Sequence, residues 1–338
     1  MPNKLRKLVG RLIAPAFYVL LIVFLVAYLR HVDFSKLTHL QVNGWYLLLA
    51  TILALLSRYI GMFAWIVILR TLGATNLRLH RQLMYVYAKA WMGRYIPGTA
   101  PWILGKIYFA SKHGISKQKL AVSSLLEGGI QVVTLLVFSL ALLIFDKRLD
   151  VLGGGFKVLM LVVAVGGILV LLPPVFNRLF SFAYRLVRRK SMEAGHLATG
   201  RTITYGAGLY LLSALANGLS LFFIAKAIDP ALGYNNMVFA TGAASLAGAA
   251  SMLAVFAPSG LGVREGIQLV LFALIMPKEL AVAVTVITRL WDLGTDVLFW
   301  GLSRAMVGET LVPGATDVEV QNPGNSAMAG VSRHAERP

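Results

Sequence analysis

The chain contains no cysteine, which excludes disulfides, thiolate metal sites and cysteine nucleophiles and leaves the redox compartment open. Acidic residues are scarce: 14 Asp and Glu stand against 32 Lys and Arg, a net charge of +18, and only 14% of the 338 residues are charged. So few charges beside 58% hydrophobic residues exclude an ordinary soluble domain. In a soluble chain the positive excess would point to nucleic acid. Here the basic residues fall in short connectors between long apolar runs, so an integral membrane protein is expected and no nucleic-acid partner. His31, His39, His80, His113, His196 and His334 all lie in connectors, outside the apolar runs. No metal, cofactor or histidine-based catalytic centre is therefore assigned within the bilayer.

What is abundant is apolar length. A membrane crossing needs roughly twenty apolar residues, and six runs meet that criterion: Leu12 to Leu29, Trp45 to Leu69, Leu120 to Phe145, Val158 to Phe176, Thr202 to Ala225 and Ala281 to Gly301. The first follows Lys4, Arg6, Lys7 and Arg11 and ends in "VAYLRHV" without a small-x-small cleavage site, so it reads as a retained signal anchor. Basic clusters mark the cytoplasmic connectors: Arg70 to Lys89, Lys112 to Lys119 and Arg178 to Arg201. Both termini are then expected in the cytoplasm, with the protein multi-pass in a bacterial or archaeal inner membrane. The expected division is a basic N-terminus at 1–11, one transmembrane domain at 12–307 and a disordered polar tail at 308–338.

Two stretches do not fit simple crossings. In "LMYVYAKAWMGRYIPGTAPWILG", Pro97, Gly98 and Pro101 forbid one continuous helix. In "FAPSGLGVREG" the turn from Pro258 to Gly262 breaks a helix begun at Met237 and leaves only Ile267 to Met276, too short to cross. The expected fold is all-α and polytopic: about six full transmembrane helices plus two re-entrant hairpins, about 83–112 and 237–277, entering from opposite sides. Paired breaks of this kind point to an inverted repeat around a transport site, because irregular backbone at membrane depth is tolerated only when buried in protein or lining a wet cavity. Two extra ordinary spans with kinks are the simpler alternative.

Several charges sit where hydrocarbon is expected. Arg58 lies near the middle of its span, at a cost of about 2.5 to 3.5 kcal/mol on the insertion scale, with Glu127 the obvious counter-charge. Arg289, Asp292 and Asp296 are spaced i, i+3, i+7 and share one helical face. Arg264 and Glu265 add a pair beside the second break. One reading makes these internal ion pairs that orient helices. The other gathers Arg58, Arg94, Arg264, Arg289 and Lys106 around a phosphate, with Ser259, Gly260, Gly262 and free N–H groups after the "PSGLG" turn adding donors. In that reading Glu127, Asp292 and Asp296 meet an amine or sugar hydroxyls, or hold the arginines. Tryptophans near span ends read as interfacial anchors.

"GRYIPGTAPWILGKIYFASKHGISKQKLAVSSLLEGG" (Gly93 to Gly129), "PSGLGVREG" and "TRLWD" (Thr288 to Asp292) resemble the membrane region of lysylphosphatidylglycerol synthetase, a flippase-like family whose region also occurs alone. The resemblance covers nearly all of residues 10 to 305. It departs from the family pattern at "WILGK", where many relatives carry Gly-Asp followed by Arg, and at Gly128, where many have Arg. It implies movement of a polar-headed lipid between leaflets: an aminoacyl-phospholipid, another phospholipid or a polyprenyl-phosphate sugar. After Arg304 the sequence continues as a polar tail, so lysyl transfer is not carried over. The implied partners are membrane lipids with anionic or phosphate-containing head groups, and a glycosyltransferase or lipid-modifying enzyme.

No recognisable catalytic motif is present. "PSG" followed by Leu261, and Ser303-Arg304 with no histidine before His334, lack what a lipid phosphatase of that signature needs. Asp292 and Asp296 stand without the Asp-Gly…Ala-Arg element of a metal-dependent phosphatidyltransferase. No Walker motif occurs, so any driving force would be a gradient or substrate supply. The expectation is a non-enzymatic lipid translocase. The alternatives are a non-transporting scaffold for a lipid-modifying or glycosyltransferase system and, third, a membrane transferase.

Overall fold

The computed structural model describes residues 42–74, 80–95, 100–188, 197–254 and 260–307, and over them the chain is helical with no strand. The helices are α1 Gly44–Thr71, α2 His80–Trp91, α3 Ala100–Ser111, α4 Lys117–Leu143, α5 Gly154–Val170, α6 Pro173–Arg188, α7 Gly200–Ile228, α8 Met237–Leu253, α9 Val263–Phe272 and α10 Lys278–Ala305. The N-terminal segment, the run Leu12 to Leu29, the turn residues Pro97, Gly98, Pro258 and Ser259, and the tail 308–338 lie outside the described residues.

Among the described residues, four segments are long and apolar enough to cross a membrane: Gly44–Thr71, Lys117–Leu143, Gly200–Ile228 and Tyr234–Leu253. The last is the first limb of the second broken region, so that limb alone has the length of a span. α10 has 28 residues, about 42 Å at 1.5 Å per residue. Lys278, Glu279, Arg289, Asp292, Asp296 and Arg304 set it apart from the apolar four.

The expected span Val158 to Phe176 is not one helix. α5 stops at Val170 and α6 departs at 89°, because Pro173 and Pro174 cannot donate to the preceding turn and their rings clash with it. α6 has three faces. Phe176, Phe180 and Tyr184 pack toward Leu126, Ile130 and Ile203; Val175, Leu179 and Phe182 are exposed apolar residues; Arg178 and Arg185 are exposed on the third face. That three-faced pattern is amphipathic, unlike the uniformly apolar long helices.

One order of elements occurs twice: long helix, two shorter helices, long helix, as α1–α2–α3–α4 and again as α7–α8–α9–α10. The connectors correspond in length, 72–79 with 229–236 and 112–116 with 273–277. Packing repeats as well, since α4 lies against α8 of the second half while α10 lies against α2 of the first. α1 and α7 run antiparallel along the centre: Asn43 N–H donates to Ala227 O (3.0 Å), Ser220 Oγ donates to Ala50 O (2.8 Å), and the Ser57 and Ser213 hydroxyls meet at 3.0 Å.

The two short pairs differ in construction. α2 and α3 have 12 residues each, about 18 Å and well short of the hydrocarbon core. They fold back on one another with Gly105 against Ala90 and Gly93 against the Pro101 backbone. The second pair joins the longer α8 to the 10-residue α9. Gly218 of α7 lies against Thr241, and Gly242 against Leu143 of α4, so small residues let α8 press close to both neighbours.

Candidate functional site

The cost of burying Arg58 is offset by a fork of acceptors. Its Nε donates to Asp296 Oδ1 (2.5 Å), one terminal nitrogen to Asp292 Oδ1 (2.9 Å) and the other to Ala54 O (3.0 Å). Asp292 and Asp296 are one turn apart on α10, so each meets a different branch of one planar guanidinium. Tyr95 from the 3₁₀ turn Met92–Tyr95 donates to Asp296 Oδ2 (2.6 Å), Arg94 stands 3.6 Å from the same oxygen, and Arg264 of α9 reaches Asp292 Oδ2 at 2.7 Å. Three elements from both halves thus converge on two aspartates of α10. Arg94 also stacks over Trp91, 4.6 Å from the ring centre.

Glu127 is not the partner of Arg58. It pairs with Lys106 of α3, both side chains 1% exposed, and accepts from the Tyr87 hydroxyl at 3.0 Å. Lys106 Nζ also lies 3.9 Å from the Trp102 ring centre and within cation–π range of Tyr87 and Trp65. The reason is reach: the cation nearest Glu127 comes from the hairpin folded beside α4, whereas Arg58 faces α10. Nor do the adjacent residues Arg264 and Glu265 pair with each other. Glu265 meets Arg289 at 3.3 Å and accepts the Gly262 N–H at 2.6 Å, capping α9 from inside its first turn. That backbone donor, expected to be open to a ligand, is therefore occupied. Gly260 (φ +66) and Gly262 (φ +88) adopt the left-handed backbone that the turn requires.

Against this frame lies a cavity of about 430 Å³. Its charged lining is Arg58, Arg94, Arg264 and Asp292, with Trp91 and Trp102 beside them. From there it extends between two helical stripes, Leu125, Gly128, Gly129, Val132 and Leu135 on α4 and Ala244, Ser245, Gly248, Ser251 and Met252 on α8. Uncharged polar groups face it too: Ser57, Ser124, Gln131, Ser213 and Asn217. The Ser124 hydroxyl is 1% exposed and has no hydrogen-bond partner in the described residues.

Of the residues expected at the site, Arg58, Arg94, Gly260, Arg264 and Asp292 line the cavity, and Asp296 is sealed behind it. Lys106, Glu127, Glu265 and Arg289 are not on its wall. They form two ion pairs that tie the hairpins to α4 and α10. Gly262 belongs to the α9 cap, and Pro97, Gly98, Pro258 and Ser259 lie outside the described residues.

Composition-based reading missed the aromatic contribution. Trp91 and Trp102, expected as interfacial anchors, line the cavity, and Tyr87 and Tyr95 donate to the buried carboxylates Glu127 and Asp296. The signal was the i, i+4, i+8 spacing of Tyr87, Trp91 and Tyr95, one stripe in a hairpin too short to need an anchor. Ser124, Gln131 and Asn217 carried no comparable signal.

The family model for the lysylphosphatidylglycerol synthase TM region matches residues 10–299. No curated protein matches the chain.

Proposed function

The chain belongs to the lysylphosphatidylglycerol synthase TM region family, and from that premise we propose that it is a lipid translocase that moves a polar-headed membrane lipid between leaflets. The observation that carries this reading is the cavity whose arginines come from both halves and whose walls continue as a groove between α4 and α8. A head group enters the arginine end, where charge is already desolvated and pre-oriented. The chains lie along the apolar groove beside Leu125, Val132, Leu135 and Met252.

The repeated order of elements supports alternating access. The two halves act as an inverted repeat, and each re-entrant hairpin opens the cavity to one face in turn. The protein sits in the cytoplasmic membrane with both ends inside, acts by binding and release without covalent chemistry, and works beside an enzyme that makes or consumes the lipid.

Leaflet exchange in liposomes containing the purified full chain tests this, with labelled phosphatidylglycerol, aminoacyl-phosphatidylglycerol and polyprenyl-phosphate sugar, and with Arg264→Ala and Arg94→Ala in parallel. Head-group-selective exchange that both replacements cut at least tenfold, in protein that stays monodisperse, is the expected result. No exchange of any probe by well-folded protein would turn the reading toward a scaffold for a lipid-modifying enzyme.

A further inference from the structure

α6 presents an exposed surface that the cavity does not use, and the geometry points to a docking surface for anionic glycerophospholipids of the adjoining leaflet. Neither the cavity nor translocation enters the argument. The inward contacts of α6 fix its depth. Pro173 Cγ lies 3.7 Å from where a Cβ on Gly200, the first residue of α7, would stand. Asn177 donates to Ala198 O and accepts the Ala198 N–H, both at 2.9 Å. α6 therefore starts at the level where α7 begins, at one end of a span-length helix rather than partway along it.

Its direction follows from α5. That helix has 17 residues, about 26 Å, and exposes Leu159, Leu161, Val162, Val165, Ile168 and Leu169. A helix so apolar, with so little protein covering it, belongs in hydrocarbon. α6 leaves it at 89°, so where α5 runs along the bilayer normal, α6 lies in the plane of the surface. In that attitude its free faces sort by depth. Val175, Leu179 and Phe182 turn toward acyl chains, and Arg178 and Arg185 reach the head groups.

Charge selects the occupant. Arg178, Arg185 and, in the first turn of α7, Arg201 are exposed and have no acidic partner among the described residues. The sequence continues with Arg188, Arg189 and Lys190, and no acidic residue stands between Asp150 and Glu193. An apolar stripe flanked by arginines complements a bilayer surface that carries net negative charge. An acidic protein would match the arginines too, but the bare apolar flank of α5 beside them places this corner of the molecule in lipid.

Because the chain has no cysteine, Val175→Cys, Leu179→Cys and Phe182→Cys can each carry a spin label in the full chain, reconstituted in phosphatidylcholine vesicles containing phosphatidylglycerol. Collision with oxygen, against collision with a water-soluble nickel chelate, reads the depth of each label. All three should lie at one depth, near the boundary of head groups and acyl chains. A crossing limb would separate positions 175 and 182 by about 10 Å, and that result overturns the inference. Labels that all sit in water would also overturn it, leaving an acidic protein as the occupant. Native mass spectrometry in nanodiscs of the two lipids then tests the charge preference. Arg178→Gln combined with Arg185→Gln should lower retained phosphatidylglycerol about fivefold or more, with phosphatidylcholine unchanged. The same loss should appear in an Arg264→Ala background, where the cavity is weakened as a second anion site. Unchanged retention in the folded double variant would assign the anionic lipid elsewhere and sink the proposal.

Discussion

Each half of the molecule ties the second limb of its broken hairpin to the long helix that follows by an ion pair of opposite polarity, and in the second half Arg264 on Asp292 adds another. In the first half the hairpin supplies the cation and the helix the acid, Lys106 to Glu127; in the second the hairpin supplies the acid and the helix the cation, Glu265 to Arg289. Their surroundings differ as much as their signs. The first pair is sealed among Trp65, Tyr87 and Trp102 with both side chains 1% exposed, whereas Glu265 and Arg289 keep 18% and 24% of their exposure. A dry pair must stay together, because separating it strands two charges in low dielectric. A wetter pair can exchange its partner for water at little cost. The difference teaches that the α2–α3 hairpin is held to its helix by a dry pair, whereas α9 is held to α10 by the wetter Glu265–Arg289 pair together with Arg264 on Asp292.

The sharpest way to break this comparison is to remove one charge from the dry pair. Glu127→Gln should cost about 3 to 5 kcal/mol by stranding Lys106, seen as lost monodispersity and a lowered melting temperature in detergent. Double replacement by Lys106→Met and Glu127→Leu should recover most of that loss.

Backbone changes sharpen the contrast between the hairpins. A Cβ at Gly260 would lie 2.2 Å from Ser251 Cβ, on a backbone at φ +66. Gly260→Ala should therefore cost about 2 to 4 kcal/mol, from the left-handed penalty plus overpacking. The same change at Gly105 meets Ala90 Cβ at 3.3 Å, and its cost should stay below about 1 kcal/mol. A larger loss at Gly105 than at Gly260 would reverse the assignment of the tighter turn.

The smallest expected effect is at the wetter pair. Glu265→Gln keeps an acceptor for the Gly262 N–H and loses only a partly exposed attraction, so stability should fall by about 1 kcal/mol or less. Site-directed spin labels, placed without interference in this cysteine-free chain, should report wider distances between α9 and α10 in that variant and no change between α3 and α4. Equal loosening of both would contradict the division into a more firmly and a more loosely held hairpin.

Much of the scaffold was legible residue by residue. The apolar runs at Trp45, Leu120 and Thr202 became α1, α4 and α7, and Pro97, Pro101 and the Pro258-to-Gly262 turn marked the two breaks. The run at Val158 misled because composition alone cannot show that Pro173 and Pro174 turn the chain by 89°. At the site the charged residues were identifiable, but their partners were not. Arg58 and Asp296 are far apart in sequence, and Glu127, the acid within the span at Leu120, meets Lys106 instead.

Residue order alone set which segments are apolar enough to enter a membrane, where the helices must break, and which charges need a partner there. These are local properties, set by the hydration of each side chain and by proline's missing N–H. Only the tertiary structure decided which charge meets which, because that depends on the rotation and depth of each helix. Those are fixed by small-residue contacts such as Gly218 on Thr241 and Gly242 on Leu143. It is this packing that sends Arg58 to Asp292 and Asp296 and closes Lys106 on Glu127.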